Sequence, residues 1–146
     1  MMNEIYNRKI LELAAHIPLL GRLDSPMATA TRHSKLCGST VTVDLDMESG
    51  SVSRFGHEVK ACALGQAASS IMARHVIGAS ATELKTLLNQ VRSMLKEGQP
   101  PPVAPWDDVA VLEPVRDYKA RHASTLLTFE AVVEAIEKIE AANNKA

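Results

Sequence analysis

Residues 40–62 read TVTVDLDMESGSVSRFGHEVKAC, and this stretch decides the fold class. Val41, Val43 and Leu45 alternate with Thr40, Thr42, Asp44 and Asp46, the period of a half-buried strand rich in β-branched residues. Glu48-Ser49-Gly50 supplies a turn, and Ser51–Val59 continues as one or two further strands. The sheet is therefore expected to be antiparallel. Beyond Cys62 the apolar period lengthens: Leu64, Ala67, Ala68, Ile71, Met72 and His75 fall on one helical face, which Gly78 can stop.

Upstream, residues 23–36 (LDSPMATATRHSKL) are polar and turn-rich and read as a loop leading into the sheet. Before that loop, Tyr6, Ile10, Leu13, Ala14 and Ile17 predict a helix ended by Pro18 and Gly21. Downstream, Ser80-Ala81-Thr82-Glu83 is a capping box that opens a helix with Leu84, Leu87, Leu88, Val91 and Leu95 as its buried stripe. The proline-rich run GQPPPVAP (98–105) is a connector, and a short element follows near Asp107–Leu112. A last helix starts around Thr125, turning Phe129, Val132, Val133, Ile136 and Ile139 inward and exposing a Glu134–Lys138 pair. The tail AANNKA is expected to fray. The pattern is α+β: a small antiparallel sheet with helices packed against it, in one domain over residues 1–146.

Composition narrows the function classes. Of 146 residues, 46% are hydrophobic and 23% charged, enough for a core without staples. Sixteen basic residues against seventeen acidic ones give a net charge of −1, which lacks the basic footprint of a nucleic-acid binder. Trp106, Tyr6, Tyr118, Phe55 and Phe129 are the only aromatics, too few for a base-stacking platform. No apolar run is long enough to span a membrane, and Glu12 and His16 interrupt the run that a signal peptide would need. Two cysteines are too few for a disulfide framework, so reduced thiols and a cytoplasmic location are expected.

Those cysteines are the main candidates for chemistry. Cys37 lies at a loop-to-strand junction, and Gly38 removes a side chain beside its sulfur, so a metal or another protein can approach. Cys62 lies at a strand-to-helix junction, where free N–H groups and the helix dipole favour a thiolate. Taken alone, each more often reads as a small core hydrophobe than as a ligand. Their separation is far from a metal knuckle. Among the histidines, His33 and His122 fall in expected loops and are the auxiliary ligand candidates. His16, His57 and His75 read as structural. No nucleophile elbow, phosphate loop or dinucleotide fingerprint is present, and GHEVK (56–60) is not HExxH.

Three blocks carry a resemblance: residues 21–39 (GRLDSPMATATRHSKLCGS), 41–72 (VTVDLDMESGSVSRFGHEVKACALGQAASSIM) and 114–136 (PVRDYKARHASTLLTFEAVVEAI). In order and content they resemble the U-type iron–sulfur assembly scaffolds (IscU, SufU and the N-terminal domain of NifU), from about Leu11 to Ile139. The long segment before DYKARHAS looks closest to the SufU branch. The resemblance implies a SufE/NifU-like α+β fold, with three cysteines and an acidic residue gathered at one exposed end around a nascent cluster or zinc. Cys37 and Cys62 match the first two cysteines, while Ser124 stands at the third and Ser39 at the aspartate. Val59 and Ala61 replace glycines usual beside the second cysteine. A serine hydroxyl is not ionised near neutrality and is a poorer ligand for iron or zinc than thiolate.

The resemblance implies a non-enzymatic scaffold or carrier of a transient [2Fe–2S] cluster or iron, with zinc as the alternative. Its ligand set is degenerate: Cys37 and Cys62, with Ser124 at the site and His122, or more weakly His33, as further metal ligand. The implied partners are a cysteine desulfurase and recipient apo-proteins. Two other readings stay open: a sulfurtransferase accessory taking persulfide sulfur on Cys37, and a docking-only homologue without a metal site. Oligomeric state is also open, because a pair of subunits could supply four cysteines to one cluster.

Overall fold

In the computed structural model, which describes residues 6–144, the alternating stretch becomes the central strand of a three-stranded antiparallel sheet. Strand β2 (Thr40–Glu48) pairs with β3 (Ser51–Lys60) in register Val41↔Val59, Val43↔His57 and Leu45↔Phe55. Ser49 and Gly50 both have positive φ, +54° and +82°, as a tight two-residue hairpin loop requires. A single strand thus occupies residues 51–60.

Residues 28–33, expected to be loop, are instead strand β1 (Ala28–His33), paired with β2 from Ala28↔Leu45 to His33↔Thr40. Its inward residues are Ala28 and Ala30, whose small side chains give only a faint apolar alternation. The strand is held from outside its own sequence. Lys138 Nζ donates to the Thr29 carbonyl at 2.7 Å, and Arg32 reaches Glu134 at 3.2 Å.

Among the described residues, four α-helices accompany the sheet: α1 (Arg8–Ala15), α2 (Ala63–His75), α3 (Ala81–Glu97) and α4 (His122–Asn144). Helix α4 packs on β1, β2, α2 and α3, while α1 packs on α2. One core joins Val41, Val43 and Leu45 of the sheet to Leu64, Ile71, Leu84, Val91, Phe129 and Ile136 of the helices. Burying this many aliphatic side chains, at about 1.5–3 kcal/mol each, drives the assembly. Among the described residues, no helix is long and apolar enough to cross a membrane.

Several helix ends differ from expectation. Helix α1 stops at Ala15, before Ile17 and Pro18, with the His16 N–H bonded to the Leu13 carbonyl. Only half of the capping box forms. Ser80 Oγ accepts from the Glu83 N–H, while the Glu83 carboxylate takes the Trp106 indole N–H at 2.7 Å. The element near residue 107 runs through Asp117 as a 3₁₀ segment, burying Val109, Leu112 and Val115 at the spacing of its tighter turn. Helix α4 begins at His122 rather than Thr125 and continues through Asn144, so residues 141–144 are helical. The last two residues of the tail expected to fray lie outside the described residues.

Candidate functional site

The β1–β2 connection closes on itself. The Ser34 N–H donates to the Ser39 carbonyl at 2.8 Å, and the Gly38 N–H to the Ser34 carbonyl at 2.9 Å. Gly38 takes φ +71°, open to glycine at no steric cost, and the turn presents Cys37 to solvent. Cys62 follows β3 and occupies the N-cap position of α2, half-buried, without capping the helix through its side chain. Its thiol donates instead to Ser124 Oγ at 3.5 Å. Ser124 sits in the first turn of α4, buried, and donates its own proton to the Arg121 carbonyl at 3.1 Å. The residues expected to converge, Cys37, Cys62 and Ser124, are brought to one end of the sheet.

Ser39 is the link between them. Its Oγ lies 2.9 Å from Cys37 Sγ and accepts from the Cys62 N–H at 3.4 Å. Ser34 Oγ stands 3.6 Å from the Cys37 sulfur. Hydrogen bonding from Ser39 pushes the Cys37 thiol below its ordinary range; partial burial opposes this, and the Ser34 and Ser124 hydroxyls reinforce it. Cys37 is therefore an exposed thiol ringed by buried hydroxyls, a setting that favours thiolate.

The two auxiliary histidines are not in loops and stay outside this group. His122 opens α4 and is 5% exposed, with its Nε2–H shared between the carbonyls of Val115 at 3.0 Å and Arg116 at 3.1 Å. That nitrogen is committed to holding the 3₁₀ segment onto α4. His33 ends β1, its Nδ1 2.9 Å from the Thr40 hydroxyl. Among the described residues, no three His, Cys, Asp or Glu side chains gather as a metal would need. The donor set at the site is two thiols and hydroxyls. Zinc takes four nitrogen, sulfur or carboxylate ligands, or three and an open position, and a [2Fe–2S] cluster takes four thiolates. Among the described residues, this donor set by itself completes neither.

Two features of the site escaped the sequence reading. Gly65 lets α2 approach α4: a Cβ there would stand 2.7 Å from Ala61 Cβ and 3.2 Å from the Ser124 carbonyl. The second is charge. Lys35, Lys60 and Lys119 are exposed and Arg121 half-exposed on the three segments that form the site. Among the described residues none of the four is in an ion pair. Lysine two residues before each cysteine was the legible signal.

Comparison with known proteins fits this geometry. A solved NifU-like protein (N-terminal) from Brucella abortus, described as nitrogen-fixing, is 58% identical, with a TM-score of 0.94 over 96% of this chain and 97% of its own. The iron–sulfur cluster assembly scaffold protein IscU of Thermotoga maritima is 26% identical over 135 residues, 92% of this chain and 94% of that protein. A structure from Fervidobacterium islandicum AW-1, given as a candidate iron–sulfur cluster assembly scaffold for the SUF system, shares the fold. Its TM-score is 0.81 at 19% identity, over 92% of this chain and 98% of its own. The family model of the NifU-like N terminal domain matches residues 5–125, a span that contains Cys37, Cys62 and Ser124. The chain belongs to the NifU-like N-terminal domain family.

Proposed function

We propose that this chain is an iron–sulfur cluster assembly scaffold or carrier, with Cys37 and Cys62 as its sulfur ligands and Ser124 in place of a third. The observation that carries this is the meeting of two thiols from separate segments at one solvent-facing end, linked through Ser39 and Ser124. His122 is left out of the ligand set, because among the described residues no three His, Cys, Asp or Glu side chains gather. The cargo is a [2Fe–2S] cluster or its iron, held transiently; zinc is the competing ion. A cysteine desulfurase supplies sulfur and apo-proteins receive the cluster. The chain works as one domain, a reading supported by the single core of the described residues. Its two free thiols suit the reducing cytoplasm.

A second reading is favoured by one observation, the exposed Cys37 thiol with its acidity raised by Ser39. Such a thiolate can attack the terminal sulfur of a desulfurase persulfide, taking that sulfur while the desulfurase cysteine leaves as thiolate. This step precedes cluster building and does not compete with it.

Metal and sulfide analysis of anaerobically purified protein tests the scaffold reading. Wild type is expected to retain little iron or zinc after a chelator, and Ser124→Cys several-fold more, because a soft thiolate replaces a neutral hydroxyl. Cys37→Ala added to Ser124→Cys should abolish the gain. A stoichiometric, chelator-resistant metal in wild type overturns the degenerate ligand set. Metal-free wild type and variant that both still bind a desulfurase leave a docking-only protein.

A further inference from the structure

We propose that a hollow between the end of α3, the 3₁₀ segment and the start of α4 binds inorganic phosphate in its monohydrogen form. This is independent of the scaffold reading. The hollow has a volume of about 230 Å³ and is lined by Leu95, Lys96, Arg116, Lys119 and His122. Pockets for drug-sized ligands hold roughly 300–1,000 Å³, so a small ion is the better match. Charge selects an anion. Lys96, Arg116 and Lys119 are exposed, and among the described residues no carboxylate lines the hollow. Lys96 and Lys119 form no ion pair among the described residues, and Arg116 meets Glu113 only at 3.8 Å. Helix dipoles do not set the sign here. The last turn of α3 and the first turn of α4 both line the hollow, and their partial charges are opposite.

His122 makes the site more selective than a patch of surface cations. It is 5% exposed, and its Nε2 lies 3.0 Å from the Val115 carbonyl and 3.1 Å from that of Arg116. Carbonyls only accept, so the neutral ring carries its proton on Nε2 and keeps a lone pair on Nδ1. Nδ1 has no partner among the described residues. An anion that brings its own O–H matches this arrangement. Monohydrogen phosphate donates its P–OH to Nδ1, while its three charged oxygens accept from Lys96, Arg116 and Lys119. Sulfate has the same shape and charge but no proton near neutrality. A phosphomonoester, with a second pKa of about 6, has also lost its proton at pH 8. Arg116 is pinned beside the hollow: its carbonyl takes the His122 N–H, and its guanidinium lies 3.7 Å from where a Cβ on Gly98 would stand. Bound phosphate thus ties three elements together and steadies the turn that carries Ser124.

The test uses the whole chain at pH 8 with sodium phosphate, sodium sulfate or glycerol phosphate, at ionic strength held constant with sodium chloride. Inorganic phosphate should move the amide resonances of residues 95–98 and 115–122 along a saturating curve and raise the urea midpoint. Sulfate and glycerol phosphate should bind at least several-fold more weakly. Lys96→Met and Lys119→Met, both at exposed positions, should each weaken phosphate several-fold and leave the urea midpoint in chloride unchanged. His122→Leu, which removes the lone pair, should erase the lead of phosphate over sulfate. Should that variant not fold, the anion series and the lysine variants decide by themselves. Sulfate or glycerol phosphate bound as tightly as inorganic phosphate overturns the monohydrogen assignment. Shifts that never saturate, or that both lysine variants leave unaltered, overturn the site itself.

Discussion

At the scale of single residues, the site is shaped as much by its serines as by its cysteines. Ser39 stands where the resemblance implies an aspartate, yet its buried hydroxyl joins Cys37 Sγ to the Cys62 backbone N–H. A hydroxyl donates to thiolate, where a carboxylate would repel it, so Ser39 should make Cys37 more reactive. Alkylation of the Cys37 peptide, followed against pH by mass spectrometry, should show a midpoint below that of a free thiol. Ser39→Ala should shift that midpoint upward, and an unchanged profile would remove Ser39 from the account. Serine at position 39 is visible in the sequence; its link from Cys37 to Cys62 is not, because Cys62 comes from 23 residues further along the chain.

At the scale of elements, the decisive event is the crossing of α2 and α4 at their N-termini. Cys62 precedes one helix and Ser124 lies in the first turn of the other. Their contact exists because Gly65 lets the Ser124 carbonyl come close. Alanine at 65 gains helix propensity of roughly 1 kcal/mol. The overlap with Ala61 Cβ and the Ser124 backbone works against it, and overpacking of this kind costs about 1–3 kcal/mol. Gly65→Ala should therefore lower the urea midpoint modestly and weaken metal retention in a Ser124→Cys background. Ala61→Gly in the same chain should recover part of both. A Gly65→Ala protein as stable and as metal-retentive as its parent would show that the helices have room to spare.

At the scale of the whole molecule, residues 18–23 strap the open edge of β3. The Gly21 N–H donates to the His57 carbonyl at 2.8 Å, and His57 Nε2–H to the Pro18 carbonyl at 2.8 Å. Gly56 has no Cβ because Gly21 O would stand 2.5 Å from it. On the far face Arg22 grips buried Asp44 through two bonds, of 2.7 and 3.1 Å, and the Leu23 N–H and Thr29 hydroxyl add to them. Burial pushes the Asp44 carboxyl up, but those donors outweigh it and hold it below the usual range. His57 is buried with Nδ1 unpartnered, and burial lowers its pKa despite the opposing Pro18 bond. The unfolded chain then binds a proton at higher pH than the folded one. Stability is complete above the ordinary histidine range and falls as pH drops through it, by at most about 1.4 kcal/mol per pH unit for one proton. Urea unfolding between pH 7 and 5 should show this slope in wild type and a shallower one in His57→Gln. Equal slopes would exclude His57 as the source.

Local patterns determined most of the secondary structure. The alternation at Val41, Val43 and Leu45, the turn at Ser49-Gly50 and the stripes of α2, α3 and α4 are periodic signals whose burial follows directly from spacing. The blocks around Cys37, Cys62 and Ser124 likewise carried the family. Strand β1 was not legible, because Ala28 and Ala30 are too small to mark a face and the strand is fixed by Lys138 and Arg32 contacts with α4. His122 read as a loop residue, and the fold instead sets it at the start of α4 with Nε2 bonded to the Val115 and Arg116 carbonyls. The hydroxyl ring around Cys37, the close approach at Gly65 and the basic rim depend on residues up to 89 positions apart, 35 to 124, meeting at one end of the sheet. Such contacts are set by how helices and strands stack, and no local period encodes them.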